Sequence, residues 1–295
     1  MTVAPSDRKT YRGEYDDTLY WERIDRSLGW LGDTIEEQRG RQEKLRDAVI
    51  GIVGTGGIGG AVAVRLARMG ARNLKLADPD QFDVSNIQRQ LGASLDTVGR
   101  NKAEVVAEHA YGITRDVNID VFPEGINPDS AEMFMDGCDY VMDQMEFFQI
   151  RNRYALHRAF RKSDRCRFMF KIPTVGHRVF VFKYTRDSMP LEQVYDVPED
   201  TEITPEVTTR LMERIMPEIP PFPSRQMLDH WFIDMQRMPI FGACPPLAEG
   251  ILVERLVQEI MDIPGRVELP VQPGYAMFDT LTWTAKLVDR AWWAQ

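Results

Sequence analysis

Ala48-Val-Ile-Gly-Ile-Val53, followed directly by Gly54-Thr-Gly56-Gly57-Ile-Gly59-Gly60, is the stretch that decides the fold of this 295-residue chain. Its first six residues form an apolar run of the kind found in a strand covered on both faces of a parallel sheet. The glycines that follow permit a tight turn and a close approach of backbone to an anion. The next stretch, Gly60 to Met69, reads as a helix whose N-terminus favours negative charge. Asn73 to Ala77 is a second strand. Strand, glycine turn, helix and strand together make a βαβ unit.

Downstream the alternation continues. Helices are expected over Asn101–Ala110, Ser130–Met135 and Ile150–Phe160, and strands near Val117–Val121, Tyr140–Met142, Phe168–Ile172 and Arg178–Lys183. This predicts an α/β fold, a doubly wound, mostly parallel sheet with helices on both faces. Upstream, residues 1–18 read as a loose arm. Tyr20 to Asp47 reads as surface helices that pack one edge through Ile24, Leu28, Leu31 and Ile35. Residues 186–240 differ in character: they are proline-rich, especially between Met216 and Ser224, and suggest a crossover with short helices at 205–215 and 225–236. Pro245-Pro246 then opens a helix, Leu247–Met261, and the tail to Gln295 has strand-like, aromatic text. The expected organisation is an arm and helices (1–47), a nucleotide-binding core (48–185), the crossover (186–240), and a segment (241–295) that completes the same domain.

Composition narrows the function. A net charge of −9 with both signs interspersed does not suit a duplex nucleic-acid binder. The basic run Arg151, Arg153, Arg158, Arg161 and Lys162 reads as a solvated helix face. No stretch approaches the ~18–20 apolar residues of a membrane span, and the polar N-terminus lacks a signal-like apolar segment. A cytoplasmic protein is expected. Three cysteines without CxxC pairing argue against a disulfide framework and against a four-cysteine zinc site. The four histidines show no metal spacing; His177, beside a strand, is a candidate for the wall of a cleft.

Asp78 ends the second strand, about twenty residues beyond the glycines, where a carboxylate commonly meets ribose hydroxyls. Glycines and Asp78 alone would suit a nicotinamide oxidoreductase equally well. The residues that follow separate the two: Asp78-Pro-Asp80-Gln-Phe-Asp-Val-Ser-Asn86-Ile-Gln-Arg89-Gln90, then Gly99-Arg-Asn-Lys102. Arg89 can grip phosphate oxygens with a fork, Lys102 supplies a point charge, and Asn86 and Gln90 offer hydrogen bonds. A triphosphate needs such a set and a dinucleotide does not.

These residues resemble the ThiF/MoeB/HesA and ubiquitin-activating enzymes, whose pattern is G-x-G-G-x-G, then D-x-D, N-x-x-R-Q and a lysine. The matching positions are Gly54, Gly56, Gly57 and Gly59, then Asp78 and Asp80, Asn86, Arg89 and Gln90, and Lys102. The resemblance implies a Rossmann-like fold that holds ATP for attack by a carboxylate on its α-phosphate. It extends to Arg23-Ile-Asp-Arg26, which looks like the family's R-x-x-R. It implies a homodimer in which Arg26 reaches the γ-phosphate in the partner's site. The family's D-x-x-D-N becomes Asp143-Gln-Met-Glu146-Phe147 here, with Arg151 at the family's arginine spacing. Asp143 and Glu146 are the candidate Mg²⁺ ligands, Glu146 standing where an aspartate is usual.

The implied reaction is adenylylation of a carboxylate with release of pyrophosphate, followed by acyl transfer to a nucleophile. The substrate would be a small carrier protein's or precursor peptide's C-terminus, or a small carboxylate. Zinc is not expected, because the family's two CxxC pairs are missing. A cysteine thioester is not expected either: the crossover has no cysteine, and Cys244 reads as a packed small residue. The alternatives are a nicotinamide oxidoreductase, which would be indifferent to Arg89 and Lys102, and a non-catalytic nucleotide-binding partner subunit.

Overall fold

The computed structural model describes residues 8–294. Strand β2 (Val49–Val53) lies at the middle of a sheet ordered β1-β4-β3-β2-β5-β6-β8-β9-β10. Its parallel neighbours are β3 (Asn73–Ala77) and β5 (Tyr140–Asp143), with β4 (Asn118–Phe122) and β6 (Phe168–Lys171) outside them. Antiparallel strands extend the sheet on both flanks. On one side β1 (Thr10–Tyr11) pairs with β4. On the other are β8 (Arg178–Tyr184), β9 (Tyr275–Asp279) and β10 (Thr284–Val288), and the short β7 (Thr174–Val175) pairs with β8. The arm expected over residues 1–18 is therefore partly sheet: residues 10–11 are strand, and residues 1–7 lie outside the described residues.

Two apolar layers cover the sheet. One face holds α2 (Ile35–Asp47), α3 (Gly59–Arg68), α4 (Lys102–Thr114) and α10 (Cys244–Ile260), with Leu66, Val106 and Leu252 against Ile50, Ile52 and Leu76. The other holds α5 (Ala131–Met135) and α6 (Ile150–Lys162), together with the crossover helices α7 (Leu191–Tyr195) and α8 (Pro205–Ile215). The crossover carries the helices expected at 205–215 and near 225 and packs them against the body. Tyr195, Leu211, Met212 and Phe232 are buried in the second layer. Helix α9 (Arg225–Asp229) runs on into a π-helical turn at His230–Asp234. Helix α1 (Asp17–Leu28) is capped by Asp16 and buries Tyr20 and Ile24.

Sheet order reverses direction between β2 and β5, since the chain goes to β3 and β4 on one side before returning to β5 and β6 on the other. Such a switch leaves a crevice at the strands' C-terminal ends, where open α/β sheets take their ligands. No helix among the described residues is long and apolar enough to cross a membrane.

Candidate active site

At the end of β2, Gly54 adopts φ +89°, and its amide donates to the Ala77 carbonyl at 2.7 Å. A Cβ there would sit 2.5 Å from the Gln144 carbonyl oxygen, and one on Gly59 would sit 2.0 Å from the Gly54 oxygen. Any side chain at either position would collide with backbone. Gly56 and Gly57 meet nothing closer than 3.5 Å; their bare backbone faces the crevice and leads into the N-terminus of α3. The crevice is lined by Gly54, Gly56, Gly57 and Gly59, by Asp78, Asp80, Arg89, Gln90 and Lys102, and on the opposite wall by Gln144, Glu146, Gln149, Thr174, Ile240 and Pro245.

The glycine-side wall is pre-set by hydrogen bonds. Asp78, 5% exposed, accepts from the Thr55 amide at 2.6 Å and from the Asp80 amide at 3.0 Å, which fixes the glycine loop to the end of β3. Burial raises the Asp78 carboxyl, and Lys102 opposes that shift. Asn101 caps α4 by accepting from the Glu104 amide at 3.1 Å and donates to the Asp78 carbonyl at 2.9 Å. This places Lys102 at the first turn, where its ammonium meets Asp80 at 3.0 Å. Asn86 does not line the crevice. Its carboxamide oxygen accepts from the Asp83 amide, while its carbonyl accepts from the amides of Arg89 and Gln90 at 3.0 and 2.9 Å. It builds the turn that aims those two residues. Burial and Arg237 lower the Arg89 pKa, and the carboxylate of Glu146 partly offsets them.

The opposite wall departs from the expectation for Asp143. Its side chain is fully buried and points beneath the crevice floor, toward α6. Arg153 lies 3.0 Å from one oxygen and His157 3.3 Å from the same oxygen; the Met145 amide donates to the other at 3.1 Å. Burial alone would raise this carboxyl, but Arg153, Lys171 and His157 outweigh it and hold the group well below the usual carboxylate range. Asp143 is already occupied and does not line the crevice, whereas Glu146 does. The reason is strand alternation: Asp143 is the last residue of β5 and continues its α6-facing side, where Val141 is buried.

The arginine also differs from the expectation. Arg151, at the expected spacing, is at the surface, 3.8 Å from Asp200. Arg153 instead is fully buried and donates to the Met145 carbonyl and, at 3.1 Å, to the Tyr195 hydroxyl. Of the basic run, Arg158, Arg161 and Lys162 are on the outer face and Arg153 is not. His177 packs on Phe241, with ring centroids 5.1 Å apart, away from the crevice lining. Cys244 is buried at the start of α10, and burial pushes its thiol up to about 11. Arg26 is exposed on α1 and does not reach this crevice.

Sequence reasoning missed Gln144, Lys171 and the structural role of Asn101. Lys171 had a signal: a charged residue ending the apolar strand Phe168-Met-Phe. Its ammonium is buried, donates to the Met145 carbonyl at 3.1 Å, and is pulled down to about 7 by burial and by Arg153. Two crevice atoms are buried without a partner among the described residues, the Gln90 carboxamide oxygen and the Gln144 carboxamide nitrogen. An acceptor and a donor left open in the wall of a cleft suit a polar ligand.

A family model described as the ThiF family matches residues 25–210, more than half of the chain. The chain belongs to the ThiF family. Among ThiF-family relatives, the tRNA threonylcarbamoyladenosine dehydratase of Haemophilus influenzae is 36% identical over 104 residues, covering 35% of this chain and 40% of that protein. The SAMP-activating enzyme E1 of Haloferax volcanii is 31% identical over 142 residues, 48% of this chain and 49% of that one. The molybdopterin-synthase adenylyltransferase of Salmonella typhimurium is 34% identical over 112 residues, 38% and 45%. The chain therefore spans less than half the length of each of these relatives. Two solved structures share the fold across nearly the whole chain. PaaA superposes with a TM-score of 0.68 at 17% identity, covering 95% of this chain and 86% of that one. Escherichia coli MccB with AMPCPP and MccA gives 0.62 at 17% identity, covering 93% and 72%.

Proposed function

We propose that this ThiF-family protein uses ATP to adenylylate a carboxylate. The observation that carries the reading is the glycine-side wall: Arg89, Gln90 and Lys102 converge on a bare glycine cradle, beyond an Asp78 tied to the same loop. In the reaction a carboxylate oxygen bonds to the α-phosphorus, and the bond from that phosphorus to the bridging oxygen of pyrophosphate breaks. Both reactants are anions, so fixed cations and oriented donors aimed at the departing pyrophosphate supply the main stabilisation. Lys102, held by Asp80, and Arg89, facing Glu146, fill that role. Gln90 and Gln144 offer their open amide atoms to nucleotide oxygens and hydroxyls.

The donor set fits Mg²⁺ only in its usual nucleotide-bound form. Among the described residues no three carboxylate, histidine or cysteine side chains cluster to cage a metal. Mg²⁺ is commonly held by one or two carboxylates together with phosphates and waters. Glu146 is the carboxylate that faces the crevice for this purpose, and Asp143, paired within the protein, is not. Bound Mg²⁺ would neutralise charge on the triphosphate.

The substrate reading is a protein or peptide C-terminus. It is supported by the relative named for activating SAMP and by the MccB structure that contains MccA. In the homodimer proposed here, Arg26 of each subunit completes the other's site. The same reading places the protein in the cytoplasm, where ATP is supplied.

Exchange of labelled pyrophosphate into ATP, assayed with synthetic peptides bearing a free C-terminus, tests the activity. Exchange that depends on the peptide and on Lys102 is expected. ATP cleavage to ADP and phosphate without exchange would contradict adenylylation.

A further inference from the structure

Lys171 ends β6 directly beneath the loop that carries Glu146, and its side chain is 5% exposed. Its ammonium donates to the Met145 carbonyl at 3.1 Å and lies 5.3 Å from the centroid of the Phe147 ring. It therefore grips both chain neighbours of Glu146. Its nearest carboxylate is not its own to keep. Asp143, 4.0 Å away, is already paired with Arg153 at 3.0 Å, and burial lowers the His157 pKa against the pull of the same carboxylate. One buried carboxylate thus serves two buried basic groups, and Arg153 holds it.

Burying a basic group that has no carboxylate of its own costs the fold that group's solvation. An apolar side chain of similar length, such as methionine, would avoid that cost and leave the Asp143–Arg153 pair neutral. Lys171 is thus a residue that stability gives no reason to retain. The other carboxylate in its field is Glu146, exposed in the crevice above it. We infer that Lys171 is a positioning residue: by holding the Met145 carbonyl and the Phe147 ring, it sets the turn that presents the Glu146 carboxylate to the nucleotide's metal. The inference rests on the reading of Glu146 as the crevice-facing Mg²⁺ ligand.

The test is calorimetric titration of the full chain with ATP, once with Mg²⁺ and once with EDTA, alongside thermal melting. The variants are Lys171→Met, Lys171→Arg and Glu146→Gln. Lys171→Met should melt at or above the wild-type temperature and bind metal-free ATP normally. The affinity that Mg²⁺ adds should fall roughly 10- to 100-fold, the cost commonly seen when an outer partner of a metal ligand is lost. Lys171→Arg, which keeps the charge and a donor, should recover part of that gain. If Glu146→Gln loses the Mg²⁺ gain and Lys171→Met keeps it, the positioning role is wrong while the metal reading stands. If Glu146→Gln keeps the gain, the metal reading falls and takes this inference with it. A Lys171→Met variant that melts well below wild type would show the lysine to be a structural support, which also overturns the inference.

Discussion

The two walls of the crevice use charge in opposite ways. On the glycine side, residues 54–102 send their polar groups outward: Arg89, Gln90 and Lys102 line the cleft, and Asp78, Asn86 and Asn101 hold them there through backbone hydrogen bonds. On the carboxylate side, residues 143–171 send most of theirs inward. Asp143, Arg153, His157 and Lys171 meet beneath the floor, and only Glu146, Gln144 and Gln149 of that loop face the cleft. An outward charge can be removed at little cost to the fold and much cost to chemistry. An inward one is part of a network, and removing its single carboxylate leaves the partners buried and uncompensated. A charged residue in a motif divides by direction before it divides by chemistry.

The largest effect should therefore come from the inward set. Asp143→Ala leaves Arg153 and Lys171 without their carboxylate and should lower stability by about 3–5 kcal/mol, measured by urea unfolding. Its contribution is also pH-dependent. Because the folded carboxyl is held below its ordinary value of about 4, the stabilisation is present above that pH and is lost as pH falls toward the folded value. Asp143→Asn should flatten that acid limb. A well-folded Asp143→Ala protein with impaired pyrophosphate exchange would instead return Asp143 to the metal-binding role expected from its motif.

Next come the outward residues. Lys102→Ala should lower exchange by ~10²–10³, the usual loss for one electrostatic contact to a transition state, with a melting temperature close to wild type. Glu146→Ala should fall at the lower end of that range, ~10², and Glu146→Asp should keep measurable activity. A large loss of stability in either alanine variant would erase the distinction between the walls. A mixture of Arg26→Ala and Lys102→Ala subunits should recover part of the activity, since half of the mixed dimer's sites have both groups intact. Heterodimers that form and remain inactive would exclude Arg26 from the partner's site. The smallest effect belongs to Arg151→Ala, which should stay within ~0.5 kcal/mol of wild-type stability and retain exchange, because its only ion pair among the described residues is a 3.8 Å surface contact.

The same contrast explains what was legible in the sequence. The β2 run, the glycine turn, and β3 at Asn73–Ala77 follow from local chemistry, because each residue's role there is set by its immediate neighbours. Lys102 is legible for the same reason: it sits at a helix start after a capping asparagine. The inward cluster is assembled from β5, α6 and β6, and sequence spacing does not say which of Arg151 and Arg153 turns toward the sheet. Helical geometry decides it. Arg153 lies one turn from Ile150 and His157, all three buried on one face, whereas Arg151 projects to solvent. The prolines of residues 186–240 indicated irregular chain with short helices but not that Tyr195 would hydrogen-bond to Arg153 and tie the crossover to the loop that carries Glu146. The β1 strand escaped notice because two residues carry no readable period.

The glycine-side wall is proposed to be built for a triphosphate. Calorimetric titration of the purified protein with ATP and with NAD, in wild type and in Lys102→Ala, tests it most directly. Saturable ATP binding that weakens at least tenfold in Lys102→Ala, about 1.4 kcal/mol, is expected, with no comparable NAD binding. Tight NAD binding without ATP binding, or ATP binding indifferent to Lys102, would contradict it.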